Sequence, residues 1–278
     1  MRTLQTIAAC IVLVATSVAA LGHEFWIRPD SFEARSGGLG RFYLMNGHRF
    51  EGQVVYRNEP YVARFELVSP NETREVLGRH GQATNAARYA EAGTTIVVYE
   101  SREVRSELPP ERFAAYLEEQ RLDHVARQRE ALGETGEDGI EVYVRCAKAL
   151  IGVRDQSDGT ASRALADRAV GLPLEIVLAG VEAESDGRSI QVRVLYGGLP
   201  LADARLVAVS AQDPDMPKVV RTDREGTATI GLDASGTWML TTLHMMRTDD
   251  REDADWKSYW ASITFAIDDE SAAEATAG

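Results

Sequence analysis

The chain has 278 residues, of which 44% are hydrophobic and 26% charged, and its formal charge is −13. These are the proportions of a folded soluble protein, long enough for two domains of ordinary size, and not those of a disordered chain. An acidic surface argues against nucleic acid and anionic membranes as partners, because both require basic patches. Cation binding stays open.

Residues 1–22 read as a secretory signal. Arg2 supplies the positive n-region, Ile7 to Val14 the apolar core, and Val18-Ala19-Ala20 a small-residue cleavage site. The apolar run is too short, and followed too soon by Glu24 and Arg28, to span a bilayer. Ile7-Ala8-Ala9-Cys10 has the outline of a lipoprotein box, but almost no apolar run precedes it, so Cys10 is assigned to the signal. The expected location is periplasmic or secreted, with no stable membrane insertion after cleavage. Cys146 is then alone, which rules out an internal disulfide. Near Val144 and Ala147 it reads as a small buried hydrophobe, not a nucleophile.

Beyond His23, Glu24 to Pro29 forms the first expected strand, closed by a turn at Pro29-Asp30. Arg41-Phe42-Tyr43-Leu44 follows the glycine-rich loop Gly37 to Gly40, and Asn46-Gly47-His48 carries a hairpin-turn signal. Tyr61 to Val68 alternates as a half-buried strand, and Thr94 to Tyr99 is the strongest β run of this half. Short strands separated by turn residues predict a β-sandwich over 23–153. Inside it, Pro109-Pro110-Glu111 starts a helical insertion over about 110–132, with proline in the first turn and an acid at the dipole's positive end. Phe113, Tyr116 and Leu117 share one face, and Leu122, Val125, Arg129 and Leu132 continue a similar pattern, as one broken helix or two short ones.

Gly133 to Gly139 is a polar loop, after which Ile140 to Val153 returns to β character. Residues 154–170 read as a linker or surface loop. Clean alternation resumes in Ile190 to Tyr196 and Ala204 to Val209, with turns at Gly197-Gly198-Leu199-Pro200 and Thr222 to Gly226. The acidic loop Asp249 to Asp255 reads as solvated, or at most a weak Ca²⁺ site, and leads to a closing strand, Ala261 to Ile267. Residues 171–268 make a second sandwich, and 269–278 a flexible tail. The expected fold class is mainly β: two antiparallel β-sandwich domains, immunoglobulin-like or transthyretin-like, with a short helical insertion.

Several motifs occur in a specific order: His23-Glu24-Phe25-Trp26 after the signal, Arg145-Cys146-Ala147-Lys148-Ala149-Leu150, and Gly171-Leu172-Pro173-Leu174-Glu175-Ile176-Val177. Trp256 and Tyr259-Trp260-Ala261-Ser262-Ile263-Thr264-Phe265 close the series. Together they resemble the exported DUF4198 family, often linked to nickel or cobalt uptake, in which an aromatic or apolar residue usually stands where Cys146 does. Gly198 to Leu201 through Thr222-Asp223, Gly226, Gly236 and Trp238 is similar to carboxypeptidase-regulatory-like sandwiches. The resemblance covers nearly all of the chain after the signal, least clearly at 78–92 and 154–169. It implies a periplasmic accessory protein with a metal ion as ligand and a metal-uptake transporter as partner.

Five histidines follow the signal: His23, His48, His80, His124 and His244. A cut after Ala20 leaves Leu21-Gly22-His23, whose amine, two amides and imidazole fill a square plane suited to Cu²⁺ or Ni²⁺. A cut after Gly22 makes His23 the first residue, so that its amine and imidazole chelate and a second histidine completes a T-shaped brace. His244, read as a strand end, is the favoured partner and His48 the next. Met245 and Met246 add soft donors, although methionine in a β protein is ordinarily core. The expected metals are Ni²⁺, Co²⁺ or Cu²⁺. No His-x-x-x-His or Cys-x-x-Cys spacing occurs, so the fold must assemble the site. Nucleophile elbow, phosphate-cradling glycine loop and zincin helix are all missing, and the chain reads as a non-enzyme. Two other readings stand beside this one: a metal-free envelope protein that binds a protein or glycan, and a copper-dependent oxidase built on the same terminal brace.

Overall fold

The computed structural model describes residues 23–155, 168–184, 187–232, 235–248 and 254–267. The signal 1–22, most of the linker 154–170, most of the acidic loop 249–255 and the tail 269–278 lie outside the described residues. Among the described residues, no helix is long and apolar enough to cross a membrane.

The first half contributes β1 (Glu24–Pro29), β2 (Glu33–Arg35), β3 (Leu39–His48), β4 (Glu51–Val55), β5 (Val62–Val68), β6 (Thr73–Glu75), β7 (Leu77–Gly78), β8 (Asn85–Arg88), β9 (Gly93–Ser101) and β10 (Val104–Leu108). Helices α1 (Pro110–Glu119) and α2 (Asp123–Leu132) follow, then the long β11 (Gly139–Arg154). The second half holds β12 (Leu174–Glu184), β13 (Gly187–Tyr196), β14 (Leu199–Pro200), β15 (Arg205–Ser210), β16 (Lys218–Arg221), β17 (Thr227–Leu232), β18 (Gly236–Arg247) and β19 (Trp256–Ile267). The fold is mainly β, as alternation and turn spacing imply.

Three sheets result. One orders β1-β3-β8-β7 with β4 on β3, and another orders β12-β13-β14 with β17 on β13. Between them runs a ten-stranded sheet, β16-β15-β18-β19-β11-β9-β5-β6, with β10 and β2 also bonded to β11. Its central strands β9 and β11 bury apolar residues on both faces, Ile96 to Tyr99 and Ala149 to Ile151 being consecutive buried positions. Val97, Tyr99, Ala147, Ala149 and Ile151 pack with Ile27, Phe42 and Leu44 of the first sheet. Ile96, Val98, Val144, Cys146 and Leu150 pack with Leu174, Ile176 and Val192 of the third.

The pairing that joins the halves is parallel: β11 runs beside β19 from Glu141↔Trp256 to Ala149↔Thr264. The ten-stranded sheet is therefore mixed, while the other two are antiparallel. Parallel neighbours need a long crossover and leave no local turn signature. A buried ion pair closes the same seam. Lys148 Nζ lies 3.1 Å from Glu175 Oε1, both side chains about fully buried at 1% and 2% exposure. Glu175 also accepts the N–H groups of Val170, Gly171 and Leu172 at 2.7, 3.0 and 3.2 Å. Its charge is thus answered from several sides, as a buried carboxylate requires.

The insertion is two short helices. Phe113, Tyr116, Leu117, Leu122 and Val125 pack with Leu108, Met245 and Trp256. Gly139 makes room for this packing, since a Cβ there would overlap the Phe113 ring. α2 stops at Gly133, whose φ of 74° closes the helix in the left-handed region.

Candidate functional site

β1 is an edge strand, paired on one side only, to β3. Its outward carbonyls need partners, and side chains of the central sheet provide them at alternate positions. Arg145 Nη1 donates to the His23 carbonyl at 2.9 Å, Ser262 Oγ to that of Phe25 at 2.7 Å, and Thr264 Oγ1 to that of Ile27 at 2.8 Å. The Arg145 guanidinium sits against the rings of Trp260, Tyr143 and Phe25, with centroids at 4.7, 5.1 and 5.9 Å. Burial lowers its pKa, and the neighbouring Tyr143, Tyr116 and Glu141 partly offset that. The motif residues Arg145, Ser262 and Thr264 therefore fix the strand that begins next to His23.

The pairing of β1 with β3 places His23. β1 begins at Glu24, which lies opposite Gly47, so that His23 and His48 are the chain neighbours of that pair. His23 and His48 line one cleft, with Asn46, Glu51, Gln53 and Asp215. Glu24 and His48 also line a neighbouring cavity of about 290 Å³, walled by Phe25, Arg205, Leu243 and Trp260. Burial raises the pKa of the half-buried Glu24 carboxyl; the Arg49 N–H, donated to Oε2 at 2.5 Å, and the charges of His48, Arg49 and His23 oppose that rise.

The turn carrying this cleft is not the Asn46-Gly47-His48 turn expected from sequence. Those residues belong to β3, and the reversal lies at Arg49-Phe50, between His48 and its partner Glu51. Both turn residues have left-handed φ, 50° and 69°, as a two-residue hairpin loop requires. Gly47 is present for space instead: it faces Gly52, and a Cβ would overlap the Glu51 carbonyl. Arg49 also reaches Asp215, at 3.5 Å, in the loop between β15 and β16.

His244, the partner expected from sequence, lies elsewhere. It is inside β18 rather than at its end, paired in register with Tyr259 and packed against the Tyr196 ring, tilted by 56° with centroids 4.8 Å apart. It lines a second cleft with His124, not the one holding His23. Burial, then the His124 charge, lowers its pKa. His80 accepts the Glu59 N–H at 3.4 Å. Met245 is core, and the Met246 sulfur accepts the Tyr196 hydroxyl at 3.4 Å. Cys146 is a buried free thiol pushed up by burial to about 12, so it is not a nucleophile.

His23, His48 and Glu24 offer two imidazole nitrogens and one carboxylate. Among the described residues, no group of three or more His, Cys, Asp or Glu side chains is placed to hold a metal ion. The cleft fits a transition metal only with one more donor, such as the amine that cleavage after Gly22 would free on His23. Sequence reasoning did not single out Arg145 as the anchor of His23, nor the arginines around Arg205. The first sits within a quoted motif, but its contact spans 122 positions.

A family model described as "Domain of unknown function (DUF4198)" matches residues 20–246. No curated protein matches the sequence. Among solved structures, the D0-D1 domain of Intimin is 13% identical, with a TM-score of 0.24, covering 88% of this chain and 98% of its own. Three N-terminal domains of the bacteriophage RB49 Highly Immunogenic Outer Capsid protein (Hoc) are 10% identical, with a TM-score of 0.18, covering 87% and 59%. Likeness at this level carries no functional argument.

Proposed function

The chain belongs to DUF4198, whose description assigns no chemistry, and from its own residues we propose that it is an exported transition-metal-binding accessory protein. His23 and His48 hold the ion, with the His23 amine as third donor once the signal is cut after Gly22, and Glu24 as a charge partner beside them. The observation that supports this reading is the one cleft that His23 and His48 both line, next to the Glu24↔Gly47 pair of β1 and β3. Imidazole and amine nitrogens suit Ni²⁺, Co²⁺ and Cu²⁺, and the acidic chain attracts cations in general. The metal, when bound, would be cargo for a metal-uptake transporter. The protein's own part is to present the histidines on a strand anchored by Arg145, Ser262 and Thr264.

Titration of the mature, metal-stripped protein with Ni²⁺ and Cu²⁺ tests this. His23→Ala and His48→Ala should each weaken binding by roughly tenfold or more, since each removes a ligand. His244→Ala should leave affinity unchanged. Undiminished affinity in both His23→Ala and His48→Ala would overturn the assignment. If neither ion binds the wild type, the metal-free reading, capture of a protein or glycan partner, takes its place. Oxygen-dependent turnover of a reductant, abolished by His23→Ala, would instead support a copper oxidase.

A further inference from the structure

A second cleft, about 350 Å³, opens where the turn between α1 and α2 meets the start of β15 and the ends of β16 and β18. Its charge is opposite to that of the chain. Arg121, Arg127, Arg205 and Arg221 line it together with His124 and His244, against only Asp123 and Asp203. Asp203 is already engaged, its carboxylate 3.1 Å from Arg221 Nη1, which also bonds its backbone carbonyl at 2.8 Å. Asp123 sits in the first turn of α2, where the helix dipole favours an acid.

Arg205 is the informative member. It is half-buried, and the charges of Arg221 and Arg121 act against its own protonation. Among the described residues it is in none of the ion pairs, and the charges that act on it are those of Arg221 and Arg121. Asp123 and Asp203 line the same cleft, and Glu24 and Glu119 a neighbouring cavity that Arg205 also borders. A partly desolvated guanidinium facing like charge lowers stability and gains nothing from the fold. In a chain with net charge −13, four guanidiniums around one cleft are not a matter of composition. Two of the four non-glycine residues with left-handed φ among the described residues, Arg121 at 57° and Asp203 at 56°, also border it, and backbone strain of this kind gathers at functional sites.

We propose that this cleft binds a multiply charged oxyanion of the phosphate or carboxylate kind, through the guanidiniums of Arg205 and Arg121. Planar guanidinium forks match both anions and pair with them through two parallel hydrogen bonds. The α2 N-terminus adds a positive dipole end on the same side. The site shares no lining residue with the His23–His48 cleft and does not depend on a metal there, although Arg205 also borders the cavity next to Glu24 and His48.

The test is calorimetric titration of the full, metal-stripped protein with inorganic pyrophosphate and, separately, with citrate, at low ionic strength. Wild type should bind at least one of them at a single site, and the tighter arm identifies the anion class. Arg205→Met and Arg121→Gln should each weaken binding by roughly tenfold or more. Melting supplies a readout that a structural role would move the other way: Arg205→Met should leave the Tm unchanged or raise it. The proposal is overturned if neither probe binds the wild type, or if binding is undiminished in both variants. A lowered Tm in Arg205→Met with intact binding would contradict it equally, by making Arg205 a structural residue.

Discussion

Two sets of buried or half-buried charge in this protein are handled in opposite ways. At the seam between β11 and the segment leading into β12, Glu175 is met by Lys148 and by three successive backbone N–H groups. At the start of β15, Arg205 makes no ion pair among the described residues and lies under the charges of Arg221 and Arg121. Both sites lie where the two halves of the chain come together, so burial alone does not separate them. The partners do. A charge whose counterpart is internal serves architecture, whereas one held beside its own sign points to something outside the chain.

The widest consequence of this contrast is thermodynamic. Glu175→Ala removes the carboxylate 3.1 Å from the buried Lys148 ammonium and the acceptor of three N–H groups, and should cost roughly 3–5 kcal/mol in urea denaturation. Replacing Lys148 as well, with Met, should recover part of that loss by removing a buried charge. A cost below about 1 kcal/mol for Glu175→Ala, in the range of an exposed pair, would break the comparison.

A smaller effect concerns His244, on the rim of the arginine cleft. Its folded pKa lies below the ordinary value of 6.5, first through burial and then through His124. The unfolded chain therefore takes up a proton before the folded protein does. Its contribution is complete above pH 6.5 and is lost as the pH falls through that value towards the folded one. His244→Asn should flatten the fall in Tm between about pH 7.5 and about pH 5.5. An unchanged slope would mean that other groups set the acid response.

Much of this was legible in the sequence, and what was not shares a cause. Alternation located the strands, and Pro110 with Gly133 framed the helical insertion. These signals are local. The parallel β11–β19 pairing is not, because its strands lie far apart in the chain and no turn records the match. The hairpin turn was misplaced by the Asn46-Gly47 pair, since Gly47 serves close strand approach while Arg49 and Phe50, with no turn signature, adopt the left-handed conformation. His23 and His48 were both legible as candidates, but the cleft they share is made by the pairing of β1 and β4 on β3. His244 read as the end of a strand, and the strand continues to Arg247. Arg121, Arg205 and Arg221 could not be grouped from sequence at all, because only the docking of α1 and α2 against β15 brings them to one cleft.

If His23 and His48 hold one metal ion between them, both imidazoles are bound to it. Pulsed electron paramagnetic resonance of the mature protein loaded with one equivalent of Cu²⁺ counts coordinated imidazoles directly. Two are expected in the wild type and in His244→Ala, and one in His48→Ala. Two imidazoles persisting in His48→Ala, or a count that drops only in His244→Ala, would contradict it.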